Sequence, residues 1–366
     1  MAYNGTRVID GDGHVVEPGN LWEQYLEPPY KDRAPRLVRD NRGLVRLMIE
    51  GRLFPKPEGK NTGISIRGIN RNVRIEFSKG TGEANGDRVK AMDVDGIDVA
   101  LLFPTLGLLA PEAEDLGLAA ALARAYNDWL ADYCRPYPER LLGAALVCLN
   151  DIQAACAEAV RAVSTLKMKA IFIRPNPCLG RTADDRAYDP FYRTLEELGV
   201  PLMFHEGTGF TTSAGTDRYD NFFFTHTISH PFEQMLASLS IIGGGVLERF
   251  PKLHAVFLES GAGWMPYWLW RMDEHYEKLP HLAPWLKMKP SEYFQRQAWI
   301  SCDPDEATVP MAVELLGEDK VLFASDYPHW DSVFPGMVKE LADNPKLSPS
   351  AKRKVLGENA ARLLGI

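Results

Sequence analysis

From Asp87 onward the chain alternates short, uninterrupted apolar runs with stretches of helical spacing, and this alternation limits the fold more than any other feature. Runs such as Val99-Ala100-Leu101-Leu102-Phe103 and Ala170-Ile171-Phe172-Ile173 are apolar on both faces, as strands are when helices cover both sides of a parallel sheet. Read in order, strands are expected over 7–13, 99–103, 141–147, 170–173, 201–205, 255–258, 298–302 and 321–324. Helices are expected over 88–94, 116–134, 152–166, 189–198, 232–250 (broken at Gly243-Gly244-Gly245), 264–278, 308–316 and 349–364. Eight such units in an α/β chain close into a (β/α)8 TIM barrel. An open doubly wound sheet would want a Gly-x-Gly-x-x-Gly turn after its first strand, and the sequence has none there.

Before Asp87 the pattern differs. Asp40-Asn41-Arg42-Gly43 separates two alternating runs and reads as a β-hairpin, and from Pro55 to Asn85 the chain is rich in Gly, Lys, Arg and Asn with little periodicity. Such a length suits a loop excursion over one face. Nothing in the sequence looks like a linker, so one domain over 1–366 is expected, with 36–86 as a hairpin and loop insertion. The net charge of −8 speaks against nucleic acid and acidic membranes, which attract clustered Lys and Arg. No apolar run reaches 18 residues, and the five cysteines are scattered without a Cys-x-x-Cys. A cytoplasmic protein without a disulfide framework fits this best.

In a parallel barrel the chemistry sits where strands end. The first strand offers Val8-Ile9-Asp10-Gly11-Asp12-Gly13-His14, and period-2 geometry would turn Asp10, Asp12 and His14 to one face. The fifth ends in His205-Glu206, the sixth in Glu259, and the eighth in Ser325-Asp326-Tyr327-Pro328-His329. Carboxylates and imidazoles converging on one mouth are the donors of a divalent cation.

The sequence resembles the amidohydrolase superfamily, in the branch that holds aminocarboxymuconate semialdehyde decarboxylase and γ-resorcylate decarboxylase. The resemblance is carried by Ile9-Asp10-x-Asp12-x-His14, Arg88-x-x-x-Met92-Asp93, Phe204-His205, the 244–253 run, Gly261-x-Gly263-Trp264-x-Pro266, Arg271-Met272-Asp273, Ala324-Ser325-Asp326-Tyr327-Pro328 and Glu358-Asn359-Ala360-Ala361-Arg362-Leu363. It implies one divalent metal ion held by Asp12, His14, His205 and Asp326. Zinc comes first, with manganese or iron as alternatives because Asp12 stands where the family more often has histidine or glutamate. Where its decarboxylases end the sixth strand in an acid–base histidine, this chain has Glu259. Glu259 is either a general acid/base or a further ligand, and His230, read as opening the helix after the fifth strand, is the other acid–base candidate. Arg271 matches a family arginine lent across a dimer interface, so a homodimer or higher homo-oligomer is implied. A second carboxylate-binding arginine has stand-ins in Arg52, Arg67 and Arg174. Trp264, Trp268 and Trp270 read as packing and subunit contact.

The leading expectation is a metal-dependent carboxy-lyase acting on a small aromatic or conjugated carboxylic acid, with Glu259 or His230 protonating the carbon that loses CO2. The alternatives are a hydrolase of an ester, lactone, amide or C–C bond, with Asp326 or Glu259 as base, and a barrel that binds a ligand without turning it over.

Overall fold

The structure is a computed structural model, and it describes residues 5–63, 84–207 and 214–366. Eight strands lie side by side in chain order: Ile9–His14 (β1), Val99–Phe103 (β2), Leu141–Leu146 (β3), Ala170–Ile173 (β4), Leu202–Phe204 (β5), Ala255–Phe257 (β6), Ala298–Cys302 (β7) and Val321–Phe323 (β8). Every pair of neighbours is parallel. The ends meet beyond β8, where the Ser325 and Asp326 amides donate to the Asp12 carbonyl and the His14 amide donates to the Tyr327 carbonyl. The expected (β/α)8 barrel is therefore present, and the seam of its closure runs through the residues of interest.

Most helices fall where the spacing puts them. Leu116–Cys134 is capped by Asp115, whose side chain accepts from the Leu118 amide, and Ile152–Ser164 is capped in the same way by Asp151. The helix after β5 departs from expectation. It spans Phe222–Ser238, starting ten residues earlier than the 232 read from the sequence, because Asn221 supplies the N-cap and Pro231 is accommodated inside it. The run Phe222-Phe223-Phe224 is its first turn, and His230 lies mid-helix rather than at its start. A π-turn over Leu239–Gly243 follows, where the sequence suggested helix continuing to the glycines.

The early hairpin is part of a three-stranded antiparallel sheet, Arg36–Arg39, Val45–Ile49 and Arg52–Phe54. The third strand, which hydrophobic spacing did not reveal, follows a two-residue turn at Glu50-Gly51 with φ of 48° and 81°. Arg67 and most of the 55–85 excursion lie outside the described residues.

Inside the barrel, Phe103 and Phe172 are fully buried, 5.4 Å apart between ring centroids and 5.2 and 6.4 Å from the His205 ring. They form a dry floor beneath the polar mouth, where water cannot screen charge. Phe204, on the other face of β5 from His205, stacks on Phe257 at 5.5 Å.

Candidate metal centre

The first strand does not keep simple alternation. Its register against β2 shifts between Asp10 and Gly13, so Asp10 parts from Asp12 and His14. The Asp10 carboxylate accepts from the Ser325 amide and hydroxyl at 2.9 and 2.6 Å and pairs with Arg88 at 3.3 Å. Arg88 also donates to the carbonyls of His14 and Tyr327, tying both sides of the seam together. Gly13 is required here, because a Cβ would collide with the Arg88 guanidinium. The expectation that Asp10 shares a face with Asp12 is corrected: it braces the centre from behind.

Asp12, His14, His205 and Asp326 do come together. His14 Nε2 lies 2.9 Å from His205 Nε2, 3.7 Å from Asp12 Oδ1 and 3.4 Å from Asp326 Oδ1, and His205 Nε2 is 3.3 Å from Asp12 Oδ1. The far ring nitrogens are engaged elsewhere, Nδ1 of His14 with the Pro104 carbonyl at 2.8 Å and Nδ1 of His205 with the Glu206 carbonyl at 2.9 Å. A carbonyl only accepts, so each Nδ1 carries the hydrogen and each neutral ring turns an Nε2 lone pair to the centre. Glu259 joins with Oε2 at 3.0 Å from His205 Nε2, while its Oε1 faces His230 Nε2 at 3.6 Å. Glu259 and Asp326 have φ of 50° and 51°, a left-handed conformation costly for residues with a Cβ and often found where function fixes a side chain.

The electrostatics are those of a cluster waiting for positive charge. Burial pushes the carboxyls of Glu259 and Asp326 well above the ordinary range, and burial with nearby imidazoles pushes His14 well below its own. Burial opposes charge on His205, yet the Asp12 and Glu259 carboxylates outweigh it and raise its pKa. Both oxygens of Asp12, Oδ1 of Asp326 and Oε2 of Glu259 are buried and accept no hydrogen bond among the described residues. Orphaned acceptor oxygens beside two histidine lone pairs fit a divalent cation, which would satisfy them together.

Two groups at the mouth were assigned no individual role from the sequence. His329, three residues past Asp326, places Nδ1 2.6 Å from Asp326 Oδ1 and packs its ring over His14 at 4.0 Å between centroids. An i, i+3 carboxylate–histidine pair after the last strand was the available signal. Asp303, just past β7, has its pKa pushed up to about 7 by burial and by the charges of Glu306, Asp331 and Asp305. On one side of the mouth Phe222, His226 and Trp330 form an aromatic wall, with His226 5.3 Å from Trp330 and 4.9 Å from His230.

The arginines divide. Arg174 follows β4, bonds Glu112 at 2.7 Å and approaches Glu206 at 3.8 Å, beside a cleft of about 210 Å³ shared with Arg52 and Asn176. Arg271 is not brought to the centre within this chain. It is exposed on the outer helix Met265–Lys278, where it lines a groove with Asp184, Trp268 and Trp285.

The sequence profile of the amidohydrolase family matches residues 9–366. Among characterised relatives, a 2-amino-3-carboxymuconate-6-semialdehyde decarboxylase from Dictyostelium discoideum is 28% identical over 285 residues, 76% of each chain. A γ-resorcylate decarboxylase from Rhizobium sp. (strain MTP-10005) is 28% identical over 253 residues, 66% of this chain and 76% of that one. An amidohydrolase of known structure from Mycobacterium avium subsp. paratuberculosis superposes with a TM-score of 0.79 at 25% identity, covering 99% of this chain and 98% of that chain.

Proposed function

The chain belongs to the amidohydrolase family, and on that premise we propose that it is a divalent-metal-dependent carboxy-lyase acting on a small aromatic or conjugated carboxylic acid. The observation that carries this reading is the buried set of orphaned carboxylate oxygens facing two imidazole lone pairs at the barrel mouth. The decarboxylase relatives support the reaction class.

Asp12, His14, His205 and Asp326 would hold the ion, with Glu259 Oε2 in reach as a fifth donor. The bound ion would supply Lewis acidity, stabilising the negative charge left on the substrate as CO2 departs. Two imidazoles suit zinc, and the carboxylates beside them open the site equally to manganese or iron. The chain's own residues do the rest. Phe222, His226 and Trp330 give a flat ring or conjugated chain a surface to lie against, and the Phe103 and Phe172 floor keeps water from below. Arg174, paired with Glu112 beside its own cleft, is the candidate within this chain for meeting a substrate carboxylate. A proton for the carbon is available from the groups ringing the mouth, Glu259, His230 and Asp326 among them.

The proposal extends to assembly. Leu239, Leu282 and Trp285 line one outer groove with Arg271, and Tyr267 and Trp270 stand exposed on the same helix as Arg271, apolar surface that a second copy would cover. Arg271 stands within that face, where a partner could use it. We take 1–366 as one catalytic unit, and the five free cysteines suit the reducing cytoplasm.

The test is to load the protein with Zn²⁺ or Mn²⁺, incubate it with a panel of hydroxybenzoates and small lactones, and follow CO2 against acid release. CO2 from an aromatic acid is expected. Acid release from lactones without CO2 would instead assign a hydrolase, and bound metal below a tenth of an equivalent would sink both.

A further inference from the structure

His329 is the side chain at the mouth whose hydrogen-bonding state the structure defines most fully. Its Nε2 lies 3.0 Å from Thr105 Oγ1. Thr105 has one hydroxyl hydrogen, and the same Oγ1 lies 2.8 Å from the Val15 carbonyl, which can only accept. The hydroxyl therefore donates to Val15 and accepts from His329, so Nε2 carries a hydrogen. The opposite nitrogen, Nδ1, is thereby turned to the centre, 2.6 Å from Asp326 Oδ1 and 3.8 Å from Glu259 Oε1. At 2.6 Å Nδ1, when the ring is doubly protonated, is ion-paired with the Asp326 carboxylate. The side chain is 18% exposed, enough for a bound acid to touch it. His230 is placed differently: its Nδ1 is taken by Ser229 Oγ at 2.9 Å, and its Nε2 looks at the outer oxygen of Glu259.

We propose that His329, fixed by Thr105 as the tautomer with hydrogen on Nε2, is the acid–base residue of the decarboxylation, and that Thr105 is its positioning residue. The proposal rests on the carboxy-lyase reading above. In the step, the bond from the substrate carbon to its carboxylate breaks and CO2 leaves, the electron pair stays on that carbon, and a C–H bond forms there with the proton from His329 Nδ1. His329 is left neutral with its hydrogen on Nε2 and takes its next proton from water. The role that histidine ending the sixth strand plays in the resembling decarboxylases thus passes to a histidine after the eighth, which accounts for a working site with Glu259 at the former position.

Three measurements test this on the metal-loaded protein. Nitrogen-15 imidazole spectra, assigned with His329→Gln, are expected to show the Nε2-bound hydrogen in the wild type, its loss in Thr105→Val and its retention in Thr105→Ser. A wild-type His329 carrying its hydrogen on Nδ1 alone overturns the arrangement. Elemental analysis is expected to find metal unchanged in His329→Gln; loss of metal would make His329 a ligand and overturn the role, since His14, Glu259, Asp326 and His329 do group closely enough to share an ion. With 2,6-dihydroxybenzoate or whichever hydroxybenzoate the wild type decarboxylates, His329→Gln is expected to lower kcat about 100-fold with KM nearly unchanged, and Thr105→Val about tenfold with Thr105→Ser near wild type. Wild-type kcat in His329→Gln overturns the proposal. A wild type that releases CO2 from none of the acids overturns the carboxy-lyase reading instead, and the spectra still decide how His329 is held.

Discussion

The carboxylate of Glu259 lies 3.0 Å from His205 Nε2 through Oε2, and its other oxygen faces away from that imidazole toward His230. One residue therefore belongs to two environments, an inner one of proposed metal donors and an outer one open to the mouth. Glu259→Gln keeps the shape and removes the anion, so its bound metal is expected to weaken by about 10- to 100-fold, read by titration against a competing chelator. His230→Asn touches only the outer oxygen. Full metal content with a fall in kcat of less than about tenfold is expected, and metal loss in that variant would show that His230 reaches the inner set.

The Asp12 carboxylate, buried with neither oxygen accepting a hydrogen bond among the described residues, makes a prediction of opposite sign for the two states of the protein. Without metal its unsatisfied acceptors cost about 1–3 kcal/mol. Chelation is therefore expected to lower Tm, and Asp12→Asn is expected to melt about 2 °C above the wild type when both are metal-free. With metal supplied the order is expected to reverse, because the variant lacks one of the proposed ligands. Identical melting of wild type with and without chelator would contradict the site.

Much of this centre was legible in the sequence because barrel geometry converts position in a strand into position in space. His205 and Asp326 follow apolar runs, and a residue that ends a parallel barrel strand can only look into the mouth. Asp10 was misplaced because a register shift in β1 breaks period-2 alternation, and the Gly11 and Gly13 that permit it read equally as turn residues. His329 was passed over since its role depends on Thr105, over two hundred residues away. The helix at Phe222 was missed because Pro231 outweighed the Asn221 cap in a local reading, whereas packing against the barrel holds a helix through an internal proline.

Arg88 carries a stability prediction. Its guanidinium pairs with Asp10 and donates to carbonyls on both sides of the seam, and both charged groups are fully or nearly fully buried. Arg88→Met strands the Asp10 carboxylate and is expected to cost about 3–5 kcal/mol in urea unfolding. Arg88→Met with Asp10→Asn removes the stranded charge and is expected to recover part of that loss. A double variant no better than the single would place the cost in the carbonyl contacts.

The exposed outer helices bear on assembly. Trp270 is 56% exposed and Tyr267 53%, on the helix that also carries Arg271. A homodimer through this face predicts that Trp270→Glu shifts the mass measured by light scattering to that of one chain while circular dichroism stays unchanged. If the wild type already scatters as a single chain, the assembly proposal falls and Arg271 has no route to a site.

Lys320 gives a pH dependence away from the metal centre. It is 8% exposed with Nζ 4.3 Å from the centre of the Trp299 ring, and burial lowers its pKa to about 8, with the Arg362 charge adding to the shift and Asp319 opposing it. Below pH 8 the folded and unfolded chains are both protonated at this residue and the full cost of burying the charge is present. Between pH 8 and the ordinary lysine value near 10.4 the unfolded chain holds more protons than the folded one, so this residue's contribution to stability rises with pH. Buried thiols act in the reverse direction, since Cys134 is pushed up to about 12 by burial and stays protonated when folded. The prediction is therefore made on a difference. Lys320→Met, which keeps the apolar stem over Trp299, is expected to be the more stable at pH 7, and the gap to wild type is expected to narrow by on the order of 1 kcal/mol by pH 10. A gap in urea unfolding that stays constant across that window would mean that the Trp299 face holds the ammonium charged despite its burial.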